Sequence, residues 1–90
     1  MHEFLLEEEL TKKISKLFRK DKVTYEILMK KIGEIINSKD LNHYKNLRTP
    51  LQEFKRVHIR GNFVLIFKCV KDKILFYDFD HHDQIYKKKI

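Results

Sequence analysis

The chain is poor in the residues that break or bridge a fold. Its 90 residues include two glycines, one proline, one cysteine and no tryptophan. So little Gly and Pro leaves no flexible linker, no phosphate-cradling glycine loop and no proline-rich ligand segment. A single cysteine excludes an intramolecular disulfide and any multi-cysteine zinc site. No apolar run approaches the about 20 residues of a membrane span, and the N-terminus lacks the basic-then-apolar pattern of a signal peptide. The expected location is the cytoplasm, with no membrane partner. What is present suffices for one domain over residues 1–90 with a modest core: 42% of residues are hydrophobic and 37% charged.

The net charge of +7 is unevenly placed. Residues 1–40 hold nine basic and eight acidic side chains, and residues 41–90 hold eleven and five. The excess, attractive to polyanions, therefore lies in the second half. That half also carries His58, His81 and His82. Basic and histidine-bearing segments there flank one apolar run, a pattern suited to phosphodiester chemistry.

The first forty residues read as a short strand and two helices. Glu3 to Leu6 is a candidate edge strand. From about Glu7, the positions Leu10, Ile14, Leu17 and Phe18 recur on one helical face. Glu7 to Glu9 at its start and Lys16, Arg19 and Lys20 near its end suit the helix dipole. Asp21 to Thr24 supply turn and cap chemistry. A second helix follows, with Ile27, Leu28, Ile32, Ile35 and Ile36 on one side, ending near Asn37 and Ser38. So short a turn predicts an antiparallel hairpin covering one face of a sheet.

After Thr49-Pro50 the period changes to two. Phe54, Arg56, His58 and Arg60 should face one way and Lys55, Val57 and Ile59 the other. Gly61-Asn62 suits a tight turn, Phe63 to Phe67 is apolar on both faces as a central strand is, and Asp72 marks a second turn before a strand over Ile74 to Phe79. The predicted product is an α+β fold: a short N-terminal strand and a two-helix antiparallel hairpin packed on a mainly antiparallel twisted sheet, whose other face is partly open.

This order, together with LRTPLQEFKRVHI, GNFVLIF and DFDHHDQIY, resembles the RelE/ParE superfamily of type II toxin–antitoxin toxins, and within it the YafQ-like messenger-RNA-cleaving branch. The resemblance runs through nearly the whole chain. It implies the RelE-like fold and an endoribonuclease that cuts mRNA on the ribosome without a cofactor. It also implies a cognate RelB-like antitoxin that silences the chain, with a toxin–antitoxin heterotetramer as one form of the complex. Position by position, His58 matches the strand histidine, His82 the C-terminal catalytic histidine, and Tyr86 the C-terminal aromatic. Asn62 stands where that branch has an acid, and Lys45 where it has a histidine, with His43 two residues away.

The chemistry can be argued from the side chains. Metal-free RNA cleavage needs proton transfer at the 2′-hydroxyl and the leaving 5′-oxygen, and positive charge on the phosphorane-like transition state. Histidine suits the first and arginine the second. We therefore expect His82 as general acid, His58 as base or transition-state contact, and Arg60 with Lys55 or Arg56 on the phosphate. Tyr86 would stack on a base or orient the nucleotide, and Arg48, Lys45 and Lys87 are further RNA or phosphate contacts.

Other side chains have plainer readings. His81 adjoins His82 and points away from it if the strand continues. Asp78, Asp80, His81, His82 and Asp83 suggest a metal, but alternating strand faces separate neighbours and no compact ligand set results. Cys69 is expected in the core. Two competing functions remain: a ParE-like, gyrase-inhibiting toxin, against which the histidine pair argues, and a non-catalytic RNA-binding module.

Overall fold

A computed structural model describes residues 2–47 and 53–87. Four strands, β1 (Glu3–Leu6), β2 (Lys55–Ile59), β3 (Phe63–Val70) and β4 (Lys73–His81), form one sheet in the order β1-β4-β3-β2. Strands β2, β3 and β4 are an antiparallel meander, and β1 joins β4 in parallel along Lys73 to Phe76. Helices α1 (Glu8–Lys20) and α2 (Lys22–Ile36) precede β2, a 3₁₀ turn spans Leu41–His43, and α3 (His82–Tyr86) follows β4.

Asp21 alone links α1 to α2. Its backbone N–H closes α1 on Leu17, and its carboxylate accepts the Thr24 N–H at 3.2 Å and the Thr24 hydroxyl at 2.6 Å to start α2. Those hydrogen bonds hold the Asp21 carboxyl below its ordinary pKa. The hairpin covers one face of the sheet: Leu10, Leu28, Ile32 and Ile35 bury against Ile59, Leu65, Phe67, Ile74, Phe76 and Phe79. Phe18 and Ile27, expected on the covered faces, are instead 44% and 38% exposed. Phe18 packs on Tyr25 at 4.9 Å between ring centres, under the Lys22 ammonium at 4.6 Å, and so closes the outside of the hairpin.

Strand β3 is apolar on both sides because both sides are covered. A second cluster of Leu47, Phe54, Val64, Ile66 and Ile85 lies on the face away from the hairpin. Ile85 belongs to α3, so this short helix is docked there. Cys69, expected in the core, is exposed near the end of β3.

The first sheet turn departs from expectation by one residue, and the second falls at Asp72 as expected. Arg60 and Gly61 both take positive φ, 55° and 78°, so the β2–β3 bend centres on them rather than on Gly61-Asn62. Lys71 and Asp72, at φ 49° and 68°, form the two-residue β3–β4 turn, as mirror-image hairpin turns require. In β4, Ile66 pairs with Asp78 but Phe67 with Phe76, so Tyr77 is an extra residue and the strand bends there. Beyond the bulge, α1 is tied to β4: the Lys13 ammonium lies 2.7 Å from Asp78 and 3.0 Å from Asp80.

Candidate active site

Register decides which side chains share the face that carries α3. Arg56 pairs with Ile66 and His58 with Val64, both in the second cluster, so Arg56 and His58 stand on this face. The segment around Asn46 runs antiparallel along the outer edge of β2, with Asn46 opposite Lys55, and the Arg56 N–H donates to the Lys45 carbonyl at 2.9 Å. Lys45 is therefore level with Arg56, on the same face, and exposed. The position where the resemblance leads one to expect a histidine thus holds a cation beside Arg56 and His58. His43 is elsewhere, with its ring bonded to the Asp40 carbonyl.

The C-terminal residues reach this face through a helix, not a continued strand. His81 pairs with Phe63 at the end of β4 and His82 opens α3. The His82 N–H donates to the Asn62 carbonyl at 3.1 Å, so the start of α3 is fixed to the β2–β3 turn. His82, Ile85 and Tyr86 have helical spacing: Ile85 is buried, while Tyr86 is half exposed with its ring centre 6.0 Å from that of His82.

Hydrogen bonds distinguish the two imidazoles. The Arg56 guanidinium lies 3.3 Å from His58 Nδ1. A guanidinium can only donate, so Nδ1 accepts and the His58 proton is on Nε2, free to donate outward. His82 Nδ1 lies 2.9 Å from the Asp83 carboxylate, which can only accept. Here the proton is on Nδ1, and Nε2 is the atom left for proton transfer. Asp83 was not among the expected site residues; its pairing with His82 depends on α3, which the strand-like pattern before it conceals.

Two expected phosphate ligands are on the wrong side. The strand alternation stops at Ile59, because Arg60 enters the turn at positive φ. Its guanidinium donates to the buried Thr24 hydroxyl of α2 at 3.0 Å, on the hairpin side. Arg60 therefore joins the turn to the hairpin and does not face His58. Lys55 alternates with Arg56 and shares the hairpin side with Val57 and Ile59. Its ammonium holds the neighbouring segment, 3.2 Å from the Asn46 side-chain oxygen and 3.4 Å from the Tyr44 carbonyl. Lys87 is exposed just past α3, and Arg48 lies outside the described residues. Among the described residues no cluster of three or more His, Cys, Asp or Glu is arranged to hold a metal, and no helix is long and apolar enough to cross a membrane.

A helix hairpin packed on a mainly antiparallel sheet is the architecture of YafQ and the RelE-like toxins. The solved structure of YafQ from E. coli strain BL21(DE3) overlays on it with a TM-score of 0.66, covering 96% of this chain and 99% of that one at 18% identity. YafQ in the E. coli DinJ–YafQ complex gives 0.64 over the same shares, at 15% identity. No family model matches the sequence. A protein of Methanocaldococcus jannaschii named putative toxin RelE4 is 46% identical over 91 residues, covering 99% of this chain and 95% of that relative. The chain belongs to the RelE family, the toxins of toxin–antitoxin systems.

Proposed function

We propose that this toxin is an endoribonuclease that cuts mRNA on the ribosome by attack of a 2′-hydroxyl on the adjacent phosphate. The observation that carries the reading is that His58, Arg56 and Lys45 come from one flank of the second cluster, and His82 and Tyr86 from the short helix docked on it. In the reaction, the 2′-oxygen bonds to phosphorus as the 5′-oxygen leaves, giving a 2′,3′-cyclic phosphate and a 5′-hydroxyl. His82 in its imidazolium form gives its Nε2 proton to the leaving oxygen while Asp83 holds Nδ1–H, and the 2′-hydroxyl proton passes to solvent. Of the two roles expected for His58, transition-state contact fits its hydrogen bond: Nε2–H donates to a phosphoryl oxygen while Arg56 and Lys45 add charge. Tyr86 stacks on or orients the nucleotide at His82. Arg60 and Lys55 take no part.

A cognate antitoxin partner is supported by the fold shared with YafQ, which is known in complex with DinJ. An acidic segment laid over Lys45, Arg56 and His58 would silence the toxin. Purified toxin added to translating ribosomes should release mRNA fragments ending in a cyclic phosphate. RNA bound without any product would leave the non-catalytic module as the better reading.

A further inference from the structure

On the hairpin side, at the same end of the sheet as His82, a cleft of about 530 Å³ opens between α1 and the second half of β4. It forms because β1 reaches only to Phe76 and leaves the rest of β4 an edge. Three rings descend into it. Phe79, buried, stacks nearly parallel on Phe63 with centres 5.1 Å apart, and the His81 ring continues the row with its centre 4.4 Å from that of Phe63, tilted by 31°. Phe63 is half-buried and His81 exposed, so the stack runs from core to solvent and ends on an uncovered ring. Lys16 and Lys20 of α1 form the opposite wall, one helical turn apart. The third lysine there, Lys13, is held by Asp78 and Asp80, which leaves the charge of Lys16 and Lys20 for a ligand.

An open ring face beside two cations is the combination that binds a single nucleic-acid strand: a base adds to the stack and phosphates lie along the lysines. We propose that this cleft takes a nucleotide of single-stranded RNA flanking the one at His82, with the base on His81 and the backbone on Lys16 and Lys20. The inference rests on the ribonuclease reading for the identity of the strand. The two places adjoin: His81 precedes His82, and Phe63 follows Asn62, whose carbonyl holds the His82 N–H. The strand passes around the rim of the sheet from one face to the other.

The test is binding of the intact toxin to a short, unstructured, fully 2′-O-methyl RNA, which no 2′-hydroxyl attack can cut. His81→Ala should weaken binding about tenfold, as loss of one stacked base does, and His81→Phe should restore it. Lys16→Gln with Lys20→Gln should lower the slope of log affinity against log salt by about 1.4, two phosphates on a single strand. The same charge loss at Lys12 and Lys31, which are paired to Glu8, Glu9 and Glu34, should leave the slope unchanged. Equal binding by the His81→Ala protein, equal loss in the Lys12 and Lys31 control, or equally tight binding of a duplex would each overturn the site. Cleavage is not part of this measurement. A toxin that binds here but cuts nothing would refute the ribonuclease reading alone.

Discussion

The carboxylate of Asp83 lies 2.9 Å from Nδ1 of His82, the residue immediately before it on α3. That single contact fixes which nitrogen of His82 points away from the protein. Removing it frees the ring to take either tautomer. Asp83→Asn should lower the cleavage rate by about tenfold with little change in substrate affinity, and should alter the pH–rate profile. Asp83→Glu should recover part of the loss. Unchanged rates and pH profile in Asp83→Asn would show that the contact is incidental.

Arg56 and Arg60 should separate function from stability. Arg56 bonds His58, so Arg56→Ala should reduce cleavage by at least tenfold while the urea midpoint stays put. Arg60 bonds Thr24, so Arg60→Ala should cost about 1 kcal/mol of stability and leave the turnover of the folded toxin intact. Sequence alternation assigned both to one face. It could not show that β2 ends at Ile59, because the turn begins at a non-glycine residue with positive φ.

Lys13 should be the surface-reaching residue whose loss harms the fold most. Asp78 is almost wholly buried, and its Oδ1 accepts from Lys13 and, at 2.8 Å, from the Phe79 N–H. Lys13→Ala removes a charged hydrogen bond from that buried carboxylate and should cost about 2 kcal/mol in a urea titration. Burial alone would lower the Lys13 pKa, but the hydrogen bonds and charges of Asp78 and Asp80 outweigh it and hold it above the ordinary lysine value. A raised pKa means that this contribution is fully present below the unfolded lysine's pKa, near 10.5, and is lost as pH rises through the folded value. The difference in stability between wild type and Lys13→Ala should therefore shrink in strongly alkaline solution.

Gly61 should tolerate no side chain cheaply despite open space around it. A Cβ there would meet nothing within 4 Å, yet φ is +78°. Gly61→Ala should lower stability by about 1 kcal/mol, read as a fall in thermal midpoint.

The apolar periods made the helices and the three-strand meander legible, because Leu10, Ile14, Leu17, Leu28 and Ile32 mark helical faces and Val64 to Phe67 a doubly covered strand. Less legible were features set by a few contacts. Phe18 and Ile27 fit a helical stripe but lie on its exposed margin, and Cys69 continues an apolar run past the region that α3 and the hairpin cover. DHHDQIY follows a strand directly, so its helix was hidden by the preceding period of two, although His82, Ile85 and Tyr86 carry the spacing. His58 and His82 were legible as candidates through family resemblance. Asp83 and the Phe79–Phe63–His81 stack were visible only once the chain was folded.

The most direct measurement compares wild type, His82→Ala and His58→Ala for single-turnover cleavage of mRNA on ribosomes, with circular dichroism confirming that all three are folded. Wild type should give cyclic-phosphate products, His82→Ala should lose about 100-fold or more of the rate, and His58→Ala should lose less. Cleavage by folded His82→Ala at the wild-type rate would contradict the role given to His82.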